Sequence, residues 1–369
     1  GSGSSPNPAT SPTVTSSGGS AVPFGISTSI NFSSGLAQVS GSNNGVMRLY
    51  RAGKDTIAVS DGSIGSGGAD RLIVTVSADA LAKFTFVLTS PQQSGVAFTG
   101  TNLLTAQDSY GNTKTDFNAA TDNVTVNPSG LAGSVTGLGS GANVLNQASD
   151  FTSGIANLTG KMKFTGATGS GLFTAASASS KVGTSGSVQI VAGGATRLVI
   201  RTNTGDSVTT LTAGGTTNLT IRAMDASGNV VTTYTGTKSL TFSGPDSSLS
   251  PASAPTVTNS SGSAVAFNTS TSINFTNGVA TVSGSANGVL RLLRAQTALV
   301  SATDGTIGSS GTDNLSVTVS PSALGKFGLT LATPQTSGVA FTGVNSLSAL
   351  DDWGNTVTTF SAATSRCPL

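Results

Sequence analysis

Apolar residues along this chain alternate with polar ones far more often than they recur at helical spacing. In the run Leu219-Thr-Ile221-Arg-Ala223-Met-Asp225, positions 219, 221 and 223 share one face, and threonine, arginine and methionine share the other. A side-chain period of two is the signature of a half-buried strand. Leu315-Ser-Val317-Thr-Val319 has the same pattern, and Ile73-Val-Thr-Val76 has it with one bulge. Val, Thr, Ser and Gly dominate, and Gly, Asn, Asp and Ser interrupt the apolar runs every 8 to 12 residues, which predicts short antiparallel strands in a sandwich or barrel.

The pattern repeats. Residues 1–121 return as 244–364 at a constant offset of 243, and 72 of the 121 positions are identical. A shorter period lies inside it: Asp108-Ser-Tyr-Gly-Asn112 matches Asp225-Ala-Ser-Gly-Asn229 and Asp351-Asp-Trp-Gly-Asn355, at steps of 117 and 126. The unit is thus about 120 residues, the size of one domain. An aromatic follows each aspartate by nine residues, as Phe117, Tyr234 and Phe360.

The register divides the chain into a C-terminal half-unit at 1–76, complete units at 77–193 and 194–319, an N-terminal half-unit at 320–365 and a non-repeat tail at 366–369. That layout predicts a window cut from a longer array. Consecutive units join without a Gly/Ser or Pro-rich linker, as at Val317-Thr-Val319-Ser-Pro321, so the expectation is a stiff rod.

Each Asp-x-x-Gly-Asn predicts a tight turn. Aspartate caps it, glycine supplies a positive φ, and asparagine tolerates the left-handed region. The aromatic nine residues on is expected to reach an inner face. Calcium is the other use of such aspartates, with Asp108, Asp225, Asp351 and Asp352 as weak candidate ligands, but one carboxylate per loop supplies few of the oxygens calcium needs. Tyr110 and Trp353 occupy the same turn position in successive copies, where Ser227 stands in the middle one. They are expected either to form a contact tip or to lean on the neighbouring unit.

Composition narrows the chemistry. The chain has no histidine, and every acidic residue is an aspartate. General acid–base work near neutral pH leans first on histidine and then on tuned carboxylates or lysines, so no enzyme is expected and no catalytic or cofactor-binding residue is assigned. Zinc is disfavoured, since the single cysteine, Cys367, lies in the tail. Charged residues make up 9% with a net charge of +2, too sparse a field for nucleic acid. Arg48/Arg51 and Arg291/Arg294, three apart in a predicted strand, face opposite sides and share no anion site. No apolar run reaches the ~20 residues of a membrane helix.

The order of these features resembles bacterial immunoglobulin-like repeats, the invasin- and intimin-like domains of large prokaryotic adhesins, surface-layer proteins and stalks. It is carried by a strand at 81–88, Pro-x-x-Ser-Gly-Val-Ala-Phe at 91–98, Ala-x-Asp-x-x-Gly-Asn at 106–112, a Phe-x-x-Gly hairpin at 32–41 and 275–284, and a closing Asp-Gly loop. The resemblance implies an all-β chain of tandem antiparallel sandwiches in a rod-like array, export to the bacterial cell surface, and a role as spacer or adhesin stalk. Partners on this basis are copies of itself, another surface protein or a glycan, and the terminal half-units suggest head-to-tail filaments. Units of about 120 residues exceed the ~100 typical of the fold, and the excess is expected in loops such as 131–145. A Lys-Asn isopeptide crosslink, found in some related surface domains, would need an aspartate beside Lys83 or Lys326. The rival readings are a carbohydrate-binding accessory or phage fibre domain, which would want exposed aromatic platforms, and a β-solenoid, which would want rungs of roughly 20 to 30 residues.

Overall fold

The computed structural model describes residues 3–139 and 141–361, so the tail at 366–369 lies outside the described residues. The chain divides into two compact units with the boundary between Val191 and Ala192. The described residues form strands and three short 3-10 turns, Gly68–Asp70, Ala148–Asp150 and Gly311–Asp313. No helix among them is long and apolar enough to cross a membrane.

The second unit contains a closed sandwich. One sheet runs Arg197–Thr202, Thr216–Met224, Val289–Arg291, Thr256–Thr258 and Ala264–Ala266, with Val279–Thr281 also on Thr216–Met224. The other runs Val208–Thr212, Leu315–Ser320, Gln296–Thr303, Gly236–Ser243 and Ser270–Phe275. The predicted faces hold: Leu219, Ile221 and Ala223 are buried, as are Leu315, Val317 and Val319. They meet Leu198, Ile200, Leu240 and Phe242 in one core. Alternate burial along each strand is what removes this apolar surface from water.

The first unit repeats the plan. Lys83–Val87, Leu103–Gln107 and Ile155–Asn157 form one sheet, and Val144–Leu145, Val124–Ser129, Gly169–Ser177, Val188–Val191 and Gln92–Gln93 form the other. Phe98 and Phe164 each meet Phe173 edge-on at 5.7 Å, a favoured aromatic geometry.

Four expectations need correction. The sandwiches are not wholly antiparallel: Val208–Thr212 runs parallel to Leu315–Ser320, and Gln92–Gln93 parallel to Val188–Val191. In each sandwich the first edge strand breaks and its continuation crosses to the opposite sheet, alongside the last strand and in the same direction. The stretch 131–145 is more than loop, because Gly133–Thr136 pairs with Lys163–Gly166 and Val135, Leu138 and Leu145 are buried. Gly133 permits this, since a Cβ there would lie 2.5 Å from the Phe164 ring. The hairpin after Phe275 joins the two sheets, with Ser270–Phe275 in one and Val279–Thr281 in the other. Its turn is made by Asn277 and Gly278, both at positive φ. Lastly, Arg291 and Arg294 do not share a strand: one ends at Arg291 and the next begins at Gln296. Arg294 pairs with Asp246 at 3.1 Å.

Each unit also holds an open set of strands. In the first, Thr13–Thr15 pairs with Ala21–Pro23 and Met47–Arg48, and Gly53–Ile57 pairs with Leu72–Val76. In the second, Lys326–Thr330 pairs with Ser346–Leu350. The aromatics that follow the aspartates point inward: Phe117 packs on Phe84 and Phe151, Tyr234 on Phe275, and Phe360 on Phe327.

Candidate functional site

The Asp-x-x-Gly-Asn turn is the joint between each open strand set and its sandwich. At Asp108 the turn closes through Asp108 N–H to the Asn112 carbonyl at 3.0 Å. Asp108 Oδ1 accepts the Tyr110 and Asn112 N–H groups at 2.9 and 2.8 Å. Oδ2 accepts the Asp79 N–H at 3.1 Å and Asn112 Nδ2 at 2.7 Å. Both oxygens are therefore filled by donors. A carboxylate is suited to this, since it only accepts and has about four lone-pair sites.

Gly111 takes φ +80° as expected, whereas Asn112 stays outside the left-handed region. Its side chain has another task. Nδ2 also donates to the Tyr50 carbonyl at 2.8 Å, and Oδ1 accepts the Ala52 N–H at 2.8 Å. One amide thus completes backbone bonds of the preceding strand set. Beside it Asn7 N–H donates to the Tyr110 carbonyl at 2.9 Å, and Lys83 Nζ donates to the Asn7 carbonyl at 3.0 Å. A Cβ on Gly111 would lie 2.7 Å from that same carbonyl oxygen, so glycine is required for the approach.

The second unit rebuilds this clasp 243 residues on. Asp351 Oδ1 accepts Trp353 and Asn355 N–H at 2.9 and 2.8 Å, and Oδ2 accepts Ser322 N–H at 3.0 Å and Asn355 Nδ2 at 2.8 Å. Asn355 Nδ2 donates to the Leu293 carbonyl at 2.8 Å, and its Oδ1 accepts Ala295 N–H at 2.7 Å. Ser250 N–H donates to the Trp353 carbonyl at 3.0 Å, and Lys326 Nζ donates to the Ser250 carbonyl. Asp225 is bound likewise by Ser227, Asn229 and Gly193 N–H groups and by Asn229 Nδ2.

Asp108, Asp225 and Asp351 are buried. Burial alone would push their pKa values up, but the hydrogen bonds outweigh it, led by the asparagine side chain, and hold each carboxyl below the usual range. The carboxylates predicted as weak calcium ligands act as acceptors of N–H groups. Asp352, the fourth, is exposed beside Lys326, whose Nζ reaches its carbonyl. No three acidic, histidine or cysteine side chains group together among the described residues. Lys83 and Lys326 donate to main-chain carbonyls, whereas a Lys-Asn isopeptide would join the lysine to an asparagine side chain.

Tyr110 and Trp353 are engaged by the strand sets they adjoin. The Tyr110 ring lies 4.9 Å from that of Tyr50. The Arg291 guanidinium sits 5.1 Å above the Trp353 ring, a cation–π distance. Sequence reasoning found the aspartate and the glycine but missed the long-range role of the asparagine. Its signal was the recurrence of Asn four residues after every aspartate.

In both sandwiches the first edge strand is split between the two sheets, and its second part runs parallel to the last strand. This is an immunoglobulin-like form of β-sandwich. No protein-family model and no curated protein sequence matches it. Among solved structures it is similar to the Escherichia coli adhesin FdeC, at 20% identity and TM-score 0.33, covering 68% of this chain and 69% of that one. It is also similar to InvD of Yersinia pseudotuberculosis, at 16% identity and TM-score 0.27 over 74% and 71% of the two chains. Invasin, a bacterial integrin-binding protein, aligns at 12% identity and TM-score 0.27 over 81% of this chain and 52% of its own.

Proposed function

We propose that this chain is a non-enzymatic structural repeat region of a bacterial cell-surface or secreted protein, acting as a stiff spacer or stalk. The observation that supports this reading is the clasp. A flexible linker lets neighbouring domains swing, whereas here one buried asparagine on one side of the joint satisfies two backbone groups on the other, with the same bonds at 112 and at 355. The lack of histidine and glutamate supports the non-enzymatic part. The location outside the cell rests on the family that the repeat resembles. Copies of the chain, another surface protein or a glycan are the partners on this reading, and head-to-tail filaments through 1–76 and 320–365 are its assembled form.

The test is negative-stain electron microscopy with small-angle scattering of the full chain over a concentration series, with calcium added or chelated. A narrow distribution of particle lengths that broadens in the double variant Asn112→Ala/Asn355→Ala is expected. A wild-type distribution as broad as that of the variant would overturn the spacer reading. A monomer at every concentration would remove the filament and leave the spacer.

A further inference from the structure

The two complete sandwiches share one plan but hold their last strands differently. In the second, Leu315–Ser320 lies between Gln296–Thr303 and Val208–Thr212. Residues 315–319 pair with 296–300 on one side, and residues 316–320 pair with 208–212 on the other. Two more bonds close the parallel ladder at its ends, Ser316 N–H to the Ser207 carbonyl at 2.9 Å and Ala213 N–H to the Ser320 carbonyl at 2.8 Å. In the first, Val188–Val191 pairs with 169–171 through 188–190 only, and with Gln92 and Gln93 through 190 and 191. Ser94 N–H to the Val191 carbonyl at 2.9 Å and Gln189 N–H to Ser90 Oγ at 3.0 Å flank that short parallel ladder.

The difference follows from the residues. Val208-Thr-Thr-Leu-Thr212 is β-branched at four of five positions and meets its first glycine at 214, so it stays extended and follows the last strand. The parallel partner in the first sandwich is Gln92-Gln93, confined between Pro91 and Gly95, which takes φ +75°. The chain then turns to another neighbour: Gly95 N–H donates to the Phe164 carbonyl at 2.7 Å, and Ser94 Oγ donates to the Gly166 carbonyl at 2.9 Å. On the antiparallel side Gly169 and Gly171 bring no side chain to pack across the ladder.

Tension along a chain enters each sandwich through its first strand and leaves through its last. Where those strands run parallel, they are pulled in opposite directions along their length, so the bonds between them are sheared together and share the load. We propose that the two sandwiches form a graded pair under tension, with 77–193 yielding first and 194–319 holding. The last strand of 77–193 is kept by three paired positions on one side and two on the other, that of 194–319 by five on each. Opening 77–193 releases roughly 400 Å of chain at about 3.4 Å per residue, which limits the tension while 194–319 stays folded. This device rests on the spacer reading for its use, since load must pass along the chain. The two fail separately: particle length tests the spacer, and the order of opening tests the graded pair.

The test is force spectroscopy of the full chain held by tags at its two ends. Released length identifies each event, 117 residues for 77–193 and 126 for 194–319. The 117-residue event is expected at the lower force, and under one constant load it should occur at least about tenfold faster, because each ladder bond adds to the barrier. An engineered disulfide checks the assignment. Ser170 and Gln189 are exposed and directly opposed, so Ser170→Cys/Gln189→Cys, with Cys367→Ser to leave no other thiol, ties the last strand to its neighbour. Oxidised, the 117-residue event should move to higher force and shorten by about 65 Å, the span from 170 to 189, and reductant should restore it. Thr209→Pro acts on the other sandwich. Ser207 and Ala213 bond to the last strand there, and strand alternation turns residue 209 the same way, so proline removes a ladder N–H. The 126-residue event should then fall in force and the 117-residue event stay unchanged. Both sandwiches opening at one force, 194–319 opening first, or a first event that the oxidised bridge does not shorten would overturn the proposal.

Discussion

Replacing Asn355 with alanine removes three hydrogen bonds at once: those to the Leu293 carbonyl, to Asp351 Oδ2 and from Ala295 N–H. The backbone groups of Leu293 and Ala295 stay where they are. A buried polar group left unpaired costs about 1–3 kcal/mol. Leu293 is buried, whereas Ala295 is half-buried and water reaches it more readily, so the total is about 2–4 kcal/mol. That loss falls on the joint, because the core around Leu198, Leu240 and Phe242 is untouched. At tenfold per 1.4 kcal/mol, the joint should open roughly 30- to 1000-fold more often.

Two signals report it. Trp353 is the only tryptophan of the chain, and its ring lies under Arg291, so its emission should shift toward that of a solvated indole. The Ala295 amide, now lacking its acceptor, should exchange faster by a comparable factor, while the sandwich itself unfolds at nearly the wild-type denaturant midpoint. Unchanged emission together with unchanged Ala295 exchange would refute the claim that this amide holds the joint. Asn355→Asp should loosen the joint further at neutral pH, since it sets a second carboxylate against Asp351, and acid should relieve the excess.

Acid acts on the clasps directly. Asp108, Asp225 and Asp351 have folded pKa values below their unfolded ones, so the unfolded chain binds more protons and stability falls as pH drops below about 4. With no histidine or glutamate to titrate, the melting temperature should stay level between about pH 5 and 8. Phe275→Ala should cost about 3–5 kcal/mol in urea unfolding, whereas Phe32→Ala, in the identical hexapeptide, should stay within about 0.5 kcal/mol. Tyr234→Phe removes a 2.7 Å bond to Asp304 and should cost about 1–2 kcal/mol. Burial, with Asp304 beside it, raises the Tyr234 pKa above the ordinary tyrosine range, so a late-ionising phenol in the alkaline absorbance titration should vanish in that variant.

Strand faces were legible wherever burial follows a period of two, as at 219, 221 and 223, because one side of the strand meets water and the other does not. The turn at Asp108 was legible because its chemistry is local, four residues from capping carboxylate to final N–H. The partners of Asn112 were not, since Tyr50 and Ala52 lie 62 and 60 residues away and nothing near the turn marks them. The parallel pairings were hidden for the same reason: a break in an edge strand looks like any turn until the strand it rejoins is known. Residues 27–32 set the limit most sharply, since one hexapeptide is ladder in one unit and not in the other, and only a neighbour distant in sequence decides which.

The composition of the clasp follows from what it bonds. Its reach across the joint goes almost entirely to main-chain N–H and C=O groups, so the side chains at those positions are free to differ between copies. Asn7 becomes Ser250, Tyr50 becomes Leu293 and Tyr110 becomes Trp353, with the bonds intact. Three positions have no such freedom. The first must accept N–H groups on two oxygens, which a carboxylate does. The fourth must take positive φ and lie so near a neighbouring backbone that a Cβ would not fit, as at Gly354, where a Cβ would lie 2.8 Å from Ser250 N. The fifth must donate and accept in one plane, which a short primary amide does and a carboxylate does not. Asp-x-x-Gly-Asn is therefore the sequence that a joint bonded to main-chain groups leaves behind, and the two x positions vary because the hydrogen bonds of the joint use only their main chain.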